Sequence, residues 1–299
     1  MEGVGSLWIT GTGIDQSIVK KMFDETTKFF QMPLEYKRKL IKRSKMGRGY
    51  IPFETENGNK FAGRDGFPND PIEKFGIGPL HVPNEEVFTC DELSWFYDDN
   101  VWPDRPRFEL AWRDYTHAMR NLLFVILRIS SMALGIDEEK LIKAHYNGPF
   151  SLKGMNYPKV ENPKENQNAR FPEHTDIGTF TILSMTDAKD SLQVKNVSGN
   201  WIPVDPEPGC FFLNIGETMA RWTNDRWRAT PHRVIWPSIP QQRMSFGFFA
   251  LPRPDTPIDC IIQGSENKKY PSITMNQMFQ ERMAGLAGLA STRKLQKKQ

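Results

Sequence analysis

Residues 243–251, RMSFGFFAL, form a short run that an extended chain suits better than a helix, with Arg243, Ser245 and Phe249 on one parity. Five more runs of this kind precede it: TFTILSM (179–185), SLQVKN (191–196), WIPVDP (201–206), CFFLNIG (210–216) and HRVIWP (232–237). Glycine, proline, asparagine and aspartate fill the gaps between them. Strands of that length at that spacing predict an antiparallel sandwich or barrel.

The chain before residue 150 has another texture. Apolar residues recur at the helical period from Ile14 to Phe30, Pro33 interrupts, and a second, basic helix follows. A long helix is expected over Phe108–Leu134, ending at Gly135. Its central LLFVIL is apolar all round, which predicts burial against something large. Residues 44–105 are rich in Gly, Pro, Asn and Asp, which favours loops over regular elements. Their aromatic residues Tyr50, Phe53, Phe61, Phe67 and Phe75 point to an ordered layer covering a site. The expected organisation is a helical and loop region over 1–148, a β core over 149–255, and a C-terminal helix with a basic tail over 256–299, all one structural unit. No internal repeat is visible.

Composition narrows the function classes. The 299 residues are 38% hydrophobic and 25% charged, an ordinary globular balance, and 39 basic against 36 acidic residues leave a net charge of +3. Much of that excess lies in the terminal STRKLQKKQ, so neither a nucleic-acid nor a membrane surface is indicated, and no obligate protein partner is expected. Cys90, Cys210 and Cys260 are far apart and odd in number, which argues against a disulfide framework or a thiolate metal site. The N-terminal MEGVGSLWITGTGID has no signal-peptide pattern, and no apolar run could span a bilayer. A cytoplasmic location is expected.

Chemistry has few candidates among five histidines. His117 and His145 belong to helices and suit packing or surface roles, and His81 has no partner at ligand spacing. His174 and Asp176 remain, in PEHTDIGTF (172–180). On a strand they share a face. His232 opens a later strand that an antiparallel sheet can bring alongside. Two imidazoles and one carboxylate make the facial triad of non-haem Fe(II) oxygenases, which leaves three coordination positions open. Such a centre keeps a net positive charge and favours an anionic cosubstrate. Arg243 and Ser245 supply a guanidinium and a hydroxyl on one strand face to receive its carboxylate.

These residues resemble the Fe(II)/2-oxoglutarate-dependent dioxygenases, in the branch that includes isopenicillin N synthase and the plant flavonoid and gibberellin oxidases. The resemblance runs in order through NYPKVENP (156–163), HTDIGTFTIL (174–183), LQV (192–194), the 201–217 stretch that ends in FFLNIGE, TND (223–225), HRV (232–234) and RMSFGFF (243–249). The first half is similar in style, through FFQMPLEYKRKL, RGYIPFETEN and NVWPDRP. What it implies is a mainly β protein with flanking helices, whose core is a double-stranded β-helix, a distorted jelly roll. Fe(II) would sit on His174, Asp176 and His232, with 2-oxoglutarate chelating the metal and its distal carboxylate on Arg243 and Ser245. Tyr157 would add a hydrogen bond to cosubstrate or substrate, and Phe249 would lie against the substrate. The family usually has some further residues, with a strand that pairs into the barrel, ahead of the segment matched by GSLWITGTGID. A chain without them is expected to leave a sheet edge unpaired.

The reaction so implied consumes O2 and 2-oxoglutarate, releases succinate and CO2, and oxidises a small-molecule substrate by hydroxylation, desaturation or ring formation. An alternative is an iron oxidase of the isopenicillin N synthase type that does not use 2-oxoglutarate. A zinc hydrolase on the same ligands would leave Arg243 and Ser245 unexplained, and a binding protein that has lost catalysis would be expected to lack a ligand. The expected pocket lining is Tyr50 from the loop layer, the face bearing Phe180 and Ile182, and Phe249. That lining suits a small, partly apolar metabolite of specialised metabolism.

Overall fold

The computed structural model describes residues 2–262 and 268–283. β1 (Ser6–Ile9), α1 (Gln16–Phe30) and α2 (Leu34–Arg38) lead into β2 (Gly49–Ile51), α3 (Gly58–Phe61), β3 (Glu73–Ile77), α4 (Glu86–Thr89) and a 3-10 turn (Ser94–Tyr97). Two helices, α5 (Pro106–Leu134) and α6 (Glu138–His145), precede the main run of strands. These are β4 (Phe150–Tyr157), β5 (Phe171–His174), β6 (Phe180–Met185), β7 (Leu192–Lys195), β8 (Trp201–Pro203) and β9 (Phe211–Ile215). After α7 (Glu217–Trp222) come β10 (His232–Val234), β11 (Arg243–Ala250), β12 (Pro257–Ile258) and β13 (Ile273–Thr274), and a helical stretch covers 275–283.

A seven-stranded sheet in the order β1-β9-β6-β11-β4-β3-β2 faces a four-stranded sheet in the order β5-β10-β7-β8, the two layers of a distorted jelly roll. Every pairing within them is antiparallel. Between the sheets lies a small apolar core that includes Leu183, Leu192, Val194, Phe212 and Val234. The larger core lies on the outer face of the major sheet, where α1 and α5 cover it. Phe246 of β11 meets Phe23 of α1 edge-on at 4.7 Å, and Trp112 and Tyr115 of α5 at 5.9 and 5.8 Å.

Local sequence explains where the covering helices start and stop. The Asp15 carboxylate caps α1 by accepting from the Ser17 amide at 2.8 Å. Pro106 stands in the first turn of α5, where its missing N–H costs nothing, and Gly135 ends the helix in the left-handed region at φ 67°. The expectation that LLFVIL is buried all round is corrected by the structure. Leu122, Leu123, Ile126 and Leu127 are buried, but Val125 is 48% exposed. With Ile129 it borders an apolar groove of about 1100 Å³ between α5, β1 and the 10–15 segment.

The 44–105 region departs furthest from expectation. It contains many turns, yet β2 and β3 join the major sheet, and all five residues of β3 are buried. The strand is hard to read because EKFGI places two charges in the interior. Both are paired: Glu73 with Lys37 at 2.8 Å, and Lys74 with Glu56 at 2.6 Å. Three of the seven strands, β1, β2 and β3, therefore come from the first 148 residues, and β1 forms one edge of the sheet. Among the described residues no helix is long and apolar enough to cross a membrane.

Candidate metal centre

His174 ends β5 and His232 opens β10, directly opposite one another in the minor sheet, with ring centroids 4.1 Å apart. Asp176 places its Oδ1 3.9 Å from the Nε2 of each histidine. One ligand atom from each of the three lies within 4.8 Å of the others. Asp176 is not on the strand with His174, as the sequence suggested; it stands in the turn just beyond β5. That turn is pinned from below by α7. The carbonyl of Asp176 accepts from the Glu217 amide at 2.8 Å, and those of Ile177 and Gly178 accept from Thr218. These are first-turn donors, which a helix cannot satisfy internally. The approach requires glycine at two positions. A Cβ on Gly178 would sit 2.2 Å from the Ala250 carbonyl oxygen, and one on Gly216 would sit 2.1 Å from that of Gly178.

Hydrogen bonds behind the three side chains decide which atoms face inward. His174 Nδ1 lies 2.9 Å from the Pro172 carbonyl and His232 Nδ1 lies 3.0 Å from that of Thr230. A carbonyl only accepts, so each Nδ1 carries the proton and each Nε2 offers a lone pair. Asp176 Oδ2 accepts from Thr181 Oγ1 at 2.5 Å and Asn214 Nδ2 at 2.8 Å, leaving Oδ1 free. Burial, reinforced by the neighbouring His232, holds His174 well below the usual histidine range. Burial alone would raise the Asp176 carboxyl. The hydrogen bonds from Thr181 and Asn214 oppose it and favour the ionised form. A neutral His174 makes no ion pair with Asp176 across 3.9 Å. Two convergent Nε2 atoms and one carboxylate oxygen fit a divalent first-row metal, with room for further ligands.

The anion receptor lies on the inner face of β11. Thr181 is opposite Phe249 across β6 and β11, and Asn214 is opposite Thr181 across β9, so the face that touches Asp176 is the face of Arg243, Ser245, Gly247 and Phe249. Arg243 is 1% exposed, and its Nη1 donates to Ser245 Oγ at 3.0 Å. Its Nε is buried with no partner. Burial pushes the guanidinium below its usual range, and Tyr157 partly opposes this. Tyr157 stands opposite Arg243 on β4 with the guanidinium 5.2 Å over its ring, and burial raises the phenol, which stays neutral. A second arginine, Arg170, is fully buried against Trp236, with Nε and Nη1 unpartnered. Burial and the proximity of Arg243 push it down to about 10. Two guanidiniums with spare donors make this corner a receptor for an anion.

The expected pocket residues divide. Phe249 lies on the inner face, its ring so close over Gly247 that a Cβ there would be 2.7 Å from Cζ. Phe180 and Ile182 have the opposite parity on β6 and belong to the outer core under the helices. The turn at 176–179 resets the parity counted from His174, so Thr181, not Phe180, faces the metal site. Tyr50 is also on the outer side: it packs on Phe29, and its hydroxyl donates to Glu73 Oε2 at 2.6 Å. Phe180 and Tyr50 therefore do not line the site. Thr181, Asn214 and Arg170 were missed in the sequence. The signal was a lone amide in the apolar CFFLNIG, and a threonine in FTILSM at the parity of Leu183 and Met185.

Likeness to known proteins shows the family. Residues 139–252 match the 2OG-Fe(II) oxygenase superfamily, and residues 1–105 match the N-terminal region of the non-haem dioxygenases described for morphine synthesis. The chain belongs to the 2OG-Fe(II) oxygenase superfamily, and it is an Fe(II)- and 2-oxoglutarate-dependent oxidoreductase. It is 31% identical over 254 residues to homoarginine-6-hydroxylase 2-ODD-233 of Oryza sativa subsp. japonica, covering 82% of this chain and 73% of that one. The fold superposes on a 2OG-Fe(II) oxygenase family protein from Caulobacter crescentus with TM-score 0.81 at 27% identity, over 95% of this chain and 91% of that one. A full-length Neurospora crassa protein in complex with alpha-KG and thymine gives TM-score 0.78 at 25% identity, over 94% and 87% of the two chains.

Proposed function

We propose that His174 Nε2, Asp176 Oδ1 and His232 Nε2 hold the Fe(II), and that Arg243 and Ser245 receive the distal carboxylate of 2-oxoglutarate. The observation that carries this reading is the orientation of the three inner atoms by Pro172, Thr230, Thr181 and Asn214. When bound, the metal and 2-oxoglutarate supply the oxidising power of the reaction, with succinate and CO2 as by-products. The protein's own part is to bind and orient. Asn214 and Thr181 hold Asp176 in one rotamer, Arg243 and Ser245 fix one end of the cosubstrate, and the apolar core between the sheets excludes water. Tyr157 keeps its proton and serves as a hydrogen-bond donor beside Arg243. Phe249 forms substrate wall.

The substrate is a small, partly apolar metabolite, and the relatives' names point to specialised metabolism. Three cysteines outside any disulfide suit a reducing compartment, so we place the enzyme in the cytoplasm, acting without nucleic acid or an obligate protein partner. The test is anaerobic addition of Fe(II) and 2-oxoglutarate, read by the visible absorption band of the chelate. Wild type should develop the band, and Arg243→Ala should need roughly 10- to 100-fold more 2-oxoglutarate to reach it. An unchanged midpoint in Arg243→Ala would remove Arg243 from the receptor.

A further inference from the structure

Lys153 lies in the middle of β4, opposite Gly247 of β11 and Gly76 of β3. It shares the inner parity of Tyr157 and Met155, so its ammonium enters the space between the sheets. A Cβ on Gly47 would lie 3.2 Å from Lys153 Nζ and 3.5 Å from Ile51 Cδ1, which places the ammonium beside that turn and next to Ile51. On the other side, the Phe249 ring covers Gly247 and comes within reach of Met155. The cation therefore stands on the inner face beside Ile51, with Phe249 and Met155 over the neighbouring Gly247.

Lys153 has no partner of its own. It makes no hydrogen bond within 3.5 Å and no ion pair within 4.0 Å among the described residues. Glu56, the carboxylate that acts on it most strongly, is already engaged by Lys74 at 2.6 Å. Burial pushes Lys153 down to about 8; Glu56 and Asp176 oppose this, while Lys74 and Arg48 add to it. Lys153 is half-buried, and an ammonium drawn partly out of water without a counter-charge of its own is a place where a ligand can supply that charge. The neighbouring Lys74 shows the structural alternative, a buried lysine with its own carboxylate.

We propose that Lys153 binds an anionic group of the substrate, so that the enzyme oxidises partly apolar carboxylic acids whose ring or chain lies along Phe249, Met155 and Ile51. This rests on the iron and 2-oxoglutarate reading of the same site, with Arg243 serving the cosubstrate and Lys153 the substrate. Three donors on a flexible stem suit a carboxylate that arrives at varied angles.

The test uses enzyme loaded anaerobically with Fe(II) and saturating 2-oxoglutarate. Phenylacetate, 3-phenylpropionate and octanoate are titrated against their amides, and perturbation of the chelate band is read. The acids should perturb the band and the amides should not. Lys153→Met should form the band at the wild-type 2-oxoglutarate midpoint, which also shows that it folds, yet need roughly 10- to 100-fold more acid. Lys153→Arg should keep the response. The assignment is overturned if acids and amides act alike, if no acid perturbs the wild-type band, if Lys153→Met responds as wild type, or if it loses 2-oxoglutarate instead. Absence of the band in wild type is a different failure: it sinks the iron and 2-oxoglutarate reading, and this assignment with it.

Discussion

On the outer face of β11, Met244, Phe246, Phe248 and Ala250 are at most 3% exposed and pack under the helices. On the inner face of the same eight residues, Arg243 carries an unpartnered buried nitrogen, Gly247 has no side chain, and Phe249 is only half-buried. One strand therefore divides its labour by parity. The outer face is satisfied by protein contacts alone, whereas the inner face is left incomplete, and an incomplete buried polar group is what a ligand completes. Substitutions on the two faces should separate stability from binding.

The largest effect is expected from Phe246→Ala. The ring is fully buried among Phe23, Trp112 and Tyr115 and presses on Gly154, so its loss leaves a cavity that rigid neighbours cannot close. Chemical denaturation should show a loss of about 3–5 kcal/mol. The 2-oxoglutarate midpoint of the folded fraction should not move. A shifted midpoint would mean that the faces are coupled through the strand.

His145 sharpens the contrast from the outer side. It is buried at the end of α6, with Nδ1 2.8 Å from the Leu141 carbonyl and Nε2 2.8 Å from Thr179 Oγ1. Burial pushes it down to about 4, against an ordinary value of 6.5. The unfolded chain therefore takes up the proton first. Stability from this group is complete above pH 6.5, falls as pH drops from 6.5 toward 4, and levels off below that. The difference is worth about 3 kcal/mol. Unfolding of the metal-free protein across that window should be steeper in wild type than in His145→Gln by about one proton. Taking the difference cancels titration at His174, and equal slopes would show that His145 does not titrate in this way.

How much of this division could be read from the chain depends on whether its two faces differ in chemistry. In RMSFGFFAL, arginine and serine mark the inner parity, and the metal triad is legible because two histidines and an aspartate stand in strand-like runs. In FTILSM both faces are buried and mostly apolar, so alternation yields two parities without saying which one meets the site. The parity counted from His174 then points to Phe180, and the turn at 176–179 reverses it. β3 was hidden by a different cause, since Glu73 and Lys74 read as surface charges until Lys37 and Glu56 arrive from distant segments. Lys153 shows the same limit. In SLKGMNY a lysine on a strand is ordinary, and only the paired state of Glu56 reveals that it has no counter-charge.

Asn214 gives the smallest and most local effect. It is 3% exposed on β9, on the inner face beside Thr181, and its amide donates to the Asp176 oxygen that does not face the histidines. Asn214→Ala removes that donor and leaves Thr181 as the single side-chain hydroxyl holding Oδ2. The carboxylate then gains rotational freedom and loses one hydrogen bond favouring its ionised form. Fe(II) affinity should fall by roughly 10- to 100-fold, the range for outer partners of metal ligands. The 2-oxoglutarate midpoint measured at saturating iron should stay close to wild type, because Arg243 and Ser245 are untouched. Equal loss in both titrations would mean that Asn214 supports the inner face as a whole instead of orienting Asp176. Asn214→Asp adds a second test. A carboxylate there faces Asp176 Oδ2 without a donor, so it should weaken Fe(II) binding further than alanine does, even though it keeps the size of the native side chain.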